Sequence, residues 1–140
     1  MNERDAPDTK EIADAAAQFY AALNAMFEGE LAPMVEVWSH ADDVTYMGPD
    51  GGFQVGWKKV LADWEKQAAM KLGGHVEPEG TRITAGRDLA VTHSYEKGEN
   101  TNTGGMPVSV SLRATNLFRK ENGTWKMIGH HTDTLPFLRD

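Results

Sequence analysis

Val108-Ser-Val-Ser-Leu-Arg-Ala-Thr-Asn-Leu-Phe-Arg-Lys-Glu-Asn-Gly-Thr-Trp-Lys-Met-Ile-Gly-His-His-Thr-Asp-Thr134 is the stretch that decides the fold. Two strand-like runs, Val108 to Lys120 and Trp125 to Thr134, flank Asn122-Gly123. Asn-Gly suits a two-residue type I′ turn, because both central residues must take a positive φ. Glu121 is then expected opposite Thr124, and the turn sets the register of the two strands it joins. A straight ladder puts Phe118 opposite Met127, Asn116 opposite Gly129, Ala114 opposite His131 and Leu112 opposite Asp133. With Val108, Val110 and Trp125 these make the more apolar face, which is expected to receive helices. Ser109, Arg113, Lys126 and His130 fall on the other side.

Upstream, His75 to Ala85 and Leu89 to Lys97 also read as strands, joined by Gly86-Arg-Asp88. A loose loop, Gly98 to Gly105, leads on to the hairpin. Three helices precede them. In the first, Ile12, Ala16, Phe19, Leu23 and Met26/Phe27 recur at helical spacing, and Gly29 ends it. Asp8-Thr-Lys-Glu11 resembles a capping box at its start. A short helix over about 31–38 tolerates Pro33 in its first turn. Asp43 to Met47 reads as a strand, with Phe53 to Val55 as its partner across a Gly-Pro-Asp-Gly-Gly turn. A third helix, about 57–71, sets Trp57, Val60/Leu61, Trp64 and Ala68 on one side, and Gly73-Gly74 stops it. Helices followed by a meander of long strands make an α+β pattern. Residues 1–8 are expected to be a disordered tail and 9–140 one domain.

The chain has 140 residues, 40% of them hydrophobic and 25% charged, with a net charge of −7 and no cysteine. Those values fit one globular domain. The acidic balance argues against nucleic acid, which needs clustered Lys and Arg. The lack of cysteine removes disulfides, thiolate metal sites and a cysteine nucleophile. No apolar run reaches the length of a membrane span, and no signal-peptide pattern opens the chain, so a cytoplasmic protein is expected. No cofactor is expected either.

Trp38, Tyr46, Phe53 and Trp57 cluster at element ends between Trp38 and Trp57, where large rings commonly line a concavity. On the apolar face of the hairpin, Asn116, His131 and Asp133 are polar groups that must satisfy one another or meet a wet cavity. Leu89, Val91, His93 and Tyr95 share a side of their strand. The expected pocket therefore contains Trp38, Tyr46, Trp57, Trp64, Tyr95 and Asn116 as ligand contacts, with His131 and His93 as candidate acid/base groups.

Simpler roles compete for several of these residues. His130 and His131 are adjacent in a strand and point to opposite faces, so they do not hold one metal ion unless a bulge intervenes. His131 and Asp133 share a face, as a structural hydrogen bond or a catalytic pair. His40 suits capping of the last carbonyls of the second helix. Asp42-Asp43 fits turn chemistry, Trp57 and Trp64 fit core packing, and Arg113 fits either a subunit interface or a solvated surface. The glycine pairs lack phosphate-loop spacing.

Trp38-x5-Val44-Thr-Tyr-Met-Gly-Pro49, the Gly56-Trp57 helix start, Gly86-Arg-Asp-Leu-Ala-Val91, Arg113-Ala-Thr115 and Gly123-Thr-Trp-Lys-Met-Ile-Gly-His-His131 keep a familiar order and spacing. In these pieces, over about residues 10–137, the chain resembles the NTF2-like superfamily. The likeness is greatest to its SnoaL-like and ketosteroid-isomerase-homologue branches, and extends to the calmodulin-dependent kinase association domain. The resemblance implies a cone: a curved antiparallel sheet wrapped around three N-terminal helices with a central pocket. It also implies a homodimer through the outer sheet face. Where ketosteroid isomerases carry their general base, an aspartate before a proline, this chain has Gly48. The isomerase's second acid also has no counterpart, because Pro107 to Lys120 contains neither Asp nor Glu. Fold alone does not settle function. The leading reading is a binder of a small apolar or aromatic molecule. The alternatives are a cyclase-, isomerase- or dehydratase-like enzyme using a pocket histidine, and a non-catalytic association domain.

Overall fold

A computed structural model describes residues 9–49, 51–101 and 104–134 of the chain. The expected tail and the capping role of Asp8 lie outside the described residues. Helix α1 (Thr9–Phe27) buries the face its spacing predicted, with Ile12, Phe19 and Met26 fully covered. Each such side chain contributes about 1.5–3 kcal/mol by leaving water. Tyr20 is buried beside this stripe. Helix α2 (Ala32–Val37) starts with Pro33 in its first turn. His40 donates from Nε2 to the Val35 carbonyl at 2.8 Å, the expected cap, and stacks on Trp57. Helix α3 (Trp57–Met70) buries Val60, Trp64 and Ala68, and ends at Lys71 in the left-handed conformation.

The strands are β1 (Thr45–Met47), β2 (Gln54–Val55), β3 (His75–Ala85), β4 (Leu89–Thr101), β5 (Pro107–Glu121) and β6 (Thr124–Asp133). They form one curved, open sheet in the order β2-β1-β6-β5-β4-β3, and α1 and α3 pack on its concave side. All neighbours are antiparallel except β1 and β6, which run parallel and set Tyr46 beside His130. This is the expected α+β cone. Asn24 ties α1 to the edge strand: its Oδ1 accepts from the Val76 N–H, and its Nδ2 donates to the Val76 carbonyl, both at 2.8 Å. The side chain thereby stands in for a missing neighbouring strand. Gly74, at φ +79°, lies so close to the Glu99 carbonyl that any Cβ would collide with it.

The hairpin turn is as expected, with φ +52° at Asn122 and +80° at Gly123. Glu121 pairs with Thr124 and Phe118 with Met127. Beyond that point the straight ladder fails. Leu117 pairs with Gly129, leaving Ile128 as one extra residue in β6, a β-bulge. Every later residue of β6 is displaced by one position, which exchanges the two faces of the strand. Asn116 therefore meets His130, Ala114 meets Thr132, and Arg113 meets Asp133.

Candidate functional site

A cavity of about 500 Å³ lies between the concave face of the sheet and the helices. Leu23 and Phe27 of α1, Trp64 and Gln67 of α3, and Leu72 and Val76 give it one side. Tyr46, Glu96, Val110, Leu112, His130 and Thr132 enter from the sheet. Met70 and Val108 also line it and are about half exposed, so they mark its open end. The volume suits a small organic molecule.

The inner end carries a ring of four polar side chains from four elements. Tyr20 donates to Glu96 Oε2 at 2.8 Å, and Asn116 Nδ2 donates to the Tyr20 hydroxyl at 3.1 Å. Asn116 Oδ1 is hydrogen-bonded to His130 Nδ1. Because an amide oxygen only accepts, Nδ1 carries the imidazole proton and the Nε2 lone pair is left free. That Nε2 faces Glu96 Oε2 at 3.8 Å and completes the ring. Glu96 and Asn116 are at most 2% exposed and His130 is 5% exposed.

Burial governs the protonation of this ring. Desolvation pushes the Glu96 carboxyl up to about 7, with the Tyr20 hydrogen bond opposing only part of the shift. Desolvation, with His131 close by, brings the His130 imidazole down to about 3. At the pH where His130 would charge, Glu96 is already neutral and supplies no countercharge. The Tyr20 phenol stays protonated, held well above its ordinary range by burial and by Glu96. The ring therefore holds a neutral imidazole beside a carboxyl that titrates near neutral pH, a useful poise for proton transfer. Aromatic rings enclose the imidazole: Phe19 at 4.8 Å and Tyr46, nearly parallel to it, at 5.7 Å between centroids. Tyr46 in turn stacks on Trp64 and accepts from Gln67 at 2.8 Å.

Of the expected site residues, Tyr46 and Trp64 line the cavity, and Asn116 lies directly behind it as a hydrogen-bond partner. The others are placed elsewhere. His131 is exposed on the convex face of the sheet, because the bulge at Ile128 turns His130 inward in its place. His93 and Tyr95 share that convex face, since Thr92 is the residue that pairs with inward-facing Asn116. They border a shallow groove of about 350 Å³ together with Arg82, Arg113, His131 and Asp133. Asp133 there is held by Arg113 through two 2.9 Å hydrogen bonds, and it does not orient His131. Trp38 is buried in the core away from the cavity, and Trp57 packs against His40 and Trp38 near the start of α3.

Glu96, His130, Tyr20 and Thr132 are the residues that the sequence left unassigned to the site. On β4 the inward side is Ala90, Thr92, Ser94 and Glu96, while the outward side carries Leu89, Val91 and Tyr95. The greasier side thus faces out, so hydrophobic alternation points the wrong way. A tyrosine beside the apolar stripe of α1 was the available signal, because a buried phenol requires a partner.

Residues 12–134 match the SnoaL-like domain family. No curated protein matches the sequence. Among solved structures, a proposed dehydratase of the NTF2-like family from Streptomyces avermitilis is 21% identical, with a TM-score of 0.82 over 94% of this chain and 99% of that one. The association domain of C. elegans CaMKII is 13% identical, with a TM-score of 0.72 over 91% of this chain and 98% of the other. An NTF2-like superfamily protein from Salmonella enterica serovar Typhimurium is 11% identical, with a TM-score of 0.78 over 91% and 92%. At these identities the likeness is one of fold.

Proposed function

Given that the chain belongs to the SnoaL-like domain family, we propose that it is an acid/base enzyme moving a proton on a small, largely apolar molecule held in the 500 Å³ cavity. The observation that carries this reading is the buried pair of Glu96 and His130, 3.8 Å apart on the cavity wall, with the carboxyl raised to about 7. An ordinary binding pocket gains nothing from burying an ionisable carboxyl, which costs stability without a compensating charge. A general acid or base gains reactivity from it, since the best catalytic pKa lies near the working pH.

In this reading Glu96 takes a proton from a carbon or hydroxyl of the substrate and returns it at another position. Its Oε2 is steadied by the Tyr20 hydroxyl. His130, kept neutral and fixed by Asn116, offers its Nε2 lone pair to the protonated carboxyl or to a substrate hydroxyl. Isomerisation and dehydration both need this kind of transfer. The likeness to a proposed dehydratase of the NTF2-like family is consistent with it.

A thermal-shift panel of neutral polycyclic ketones, phenols and small acids, followed by deuterium uptake from D2O into the compounds that bind, tests the proposal. The expected result is protein-dependent exchange at a carbon acid, lost at least about 100-fold in Glu96→Gln with binding retained. Exchange that is equally fast in Glu96→Gln rejects it. Binding without any exchange favours a carrier or sensor.

A homodimer through the convex sheet face belongs to the same proposal. Its support is the exposure of Leu89 and Tyr95 there, at 58% and 45%.

A further inference from the structure

The convex side of the sheet carries a basic row that the cavity does not use. Arg82 of β3 pairs with His93 of β4, His93 with Thr115 of β5, and Thr115 with His131 of β6. Residues paired across neighbouring strands stand about 5 Å apart on one face. The four therefore form one line across four strands, and all of them border the 350 Å³ groove. Arg82, His93 and His131 are exposed, and none of the four side chains has a hydrogen bond among the described residues.

Two irregularities of the sheet put the ends of this line in place. Between Glu79 and Arg82, β3 contains one extra residue relative to β4. In a straight ladder Thr81 would stand opposite His93, and Arg82 would turn to the concave side. The bulge at Ile128 does the same for His131 at the other end. Bulges re-aim side chains in this way, often beside functional sites. Here two separate interruptions bring a guanidinium and an imidazole onto one row.

Charge then selects the guest. The chain carries a net charge of −7, yet two arginines, two histidines and, among the described residues, a single carboxylate line the groove. That carboxylate, Asp133, is already neutralised by Arg113 through two hydrogen bonds. Glu79 stands opposite Tyr95 in register but does not line the groove. Arg82 and both imidazoles are left to a ligand, and an oxyanion accepts from each of them and from the Thr115 hydroxyl. A carboxylate brings two oxygens and one charge to these separated donors. A phosphate monoester brings three terminal oxygens and nearly two charges. The Tyr95 ring, 45% exposed, gives a flat organic group a surface to rest on, and Lys97 adds positive charge 5.2 Å from its centroid.

We propose that the convex groove is a second binding site, for a small phosphate monoester. Its phosphoryl group lies over Thr115 between His93 and His131, with Arg82 as counterion and the organic part against Tyr95. The site lies across the sheet from the cavity and does not depend on proton transfer there.

Calorimetry at pH 7 and low ionic strength with phenyl phosphate, benzoate and phenol tests the proposal. We expect phenyl phosphate to bind with a Kd below about 1 mM, at least about three-fold more tightly than benzoate and about ten-fold more tightly than phenol. Arg82→Gln and His131→Gln should each weaken it at least about three-fold, and the double variant at least about ten-fold. Lys58→Gln, which removes an exposed charge from α3, should leave it unchanged. Benzoate binding as tightly as phenyl phosphate overturns the proposal. So does affinity that survives in the double variant, which would place the ligand elsewhere, or an equal loss in Lys58→Gln, which would mean diffuse attraction. Failure of phenyl phosphate to bind at millimolar concentration overturns it too, including where a second copy covers the groove.

Discussion

Nε2 of His130 stands 3.8 Å from Oε2 of Glu96, and the pair holds one proton over a wide span of pH. Folding keeps the Glu96 proton up to about pH 7, against 4.5 for an ordinary glutamate, and denies His130 its proton down to about pH 3, against 6.5. A raised carboxyl makes stability fall as pH rises through 4.5–7. A depressed imidazole makes stability fall as pH drops through 6.5–3. Between pH 4.5 and 6.5 the folded pair and the unfolded pair each carry one proton, so the two slopes cancel. Chemical denaturation across this range should show little net contribution from the pair. Relative to wild type, Glu96→Gln should gain stability with rising pH by about 1.4 kcal/mol per unit, and His130→Gln should lose it at a similar rate. Parallel profiles for all three proteins would contradict the assigned protonation.

The histidines divide by face. His131→Ala and His93→Ala, both on the convex side, should leave thermal stability within about 0.5 kcal/mol and exchange activity unchanged. His130→Ala removes a buried ring packed against Phe19 and Tyr46 and orphans Asn116 Oδ1. It should cost about 3–5 kcal/mol and abolish exchange. Paired melting curves and exchange rates give the comparison, and a greater loss in His131→Ala than in His130→Ala would reverse the assignment of faces.

If the convex face joins two copies, Leu89→Lys with Tyr95→Glu should yield a monomer. The fold should persist, because both side chains are at least 45% exposed. Light scattering of wild type and the double variant gives the masses. A monomeric wild type would remove the dimer from the proposal.

The residues that announced the fold did so through local chemistry. α3 ends at Lys71, ahead of the Gly73-Gly74 expected to stop it, while Asn122-Gly123 dictated the turn and the first rungs of the ladder, and the spacing from Ile12 to Phe27 described the buried side of α1. Those features depend on backbone sterics and periodicity, which a short window contains. The site escaped the same reasoning at two places. Ile128 is a good strand residue and nothing in its side chain marks a bulge. Glu96 lies on the side of β4 opposite Leu89, Val91 and Tyr95, the side that hydrophobic alternation assigns to solvent. Tyr46, Trp64 and Asn116 were expected at the cavity, and lie at it, because a ring or an amide on an apolar face is conspicuous in either register. His130 and Glu96 could be found only from pairings between distant strands.

The extra residue in β6 also bears on relatives of this chain. In a homologue whose last strand runs straight through the same number of residues, the second member of the doublet would turn inward and the first would meet water. Two proteins with an identical His-His signature could thus expose opposite imidazoles to a guest molecule. Transferring a functional assignment between them therefore requires counting rungs back from the turn, whatever the letters say.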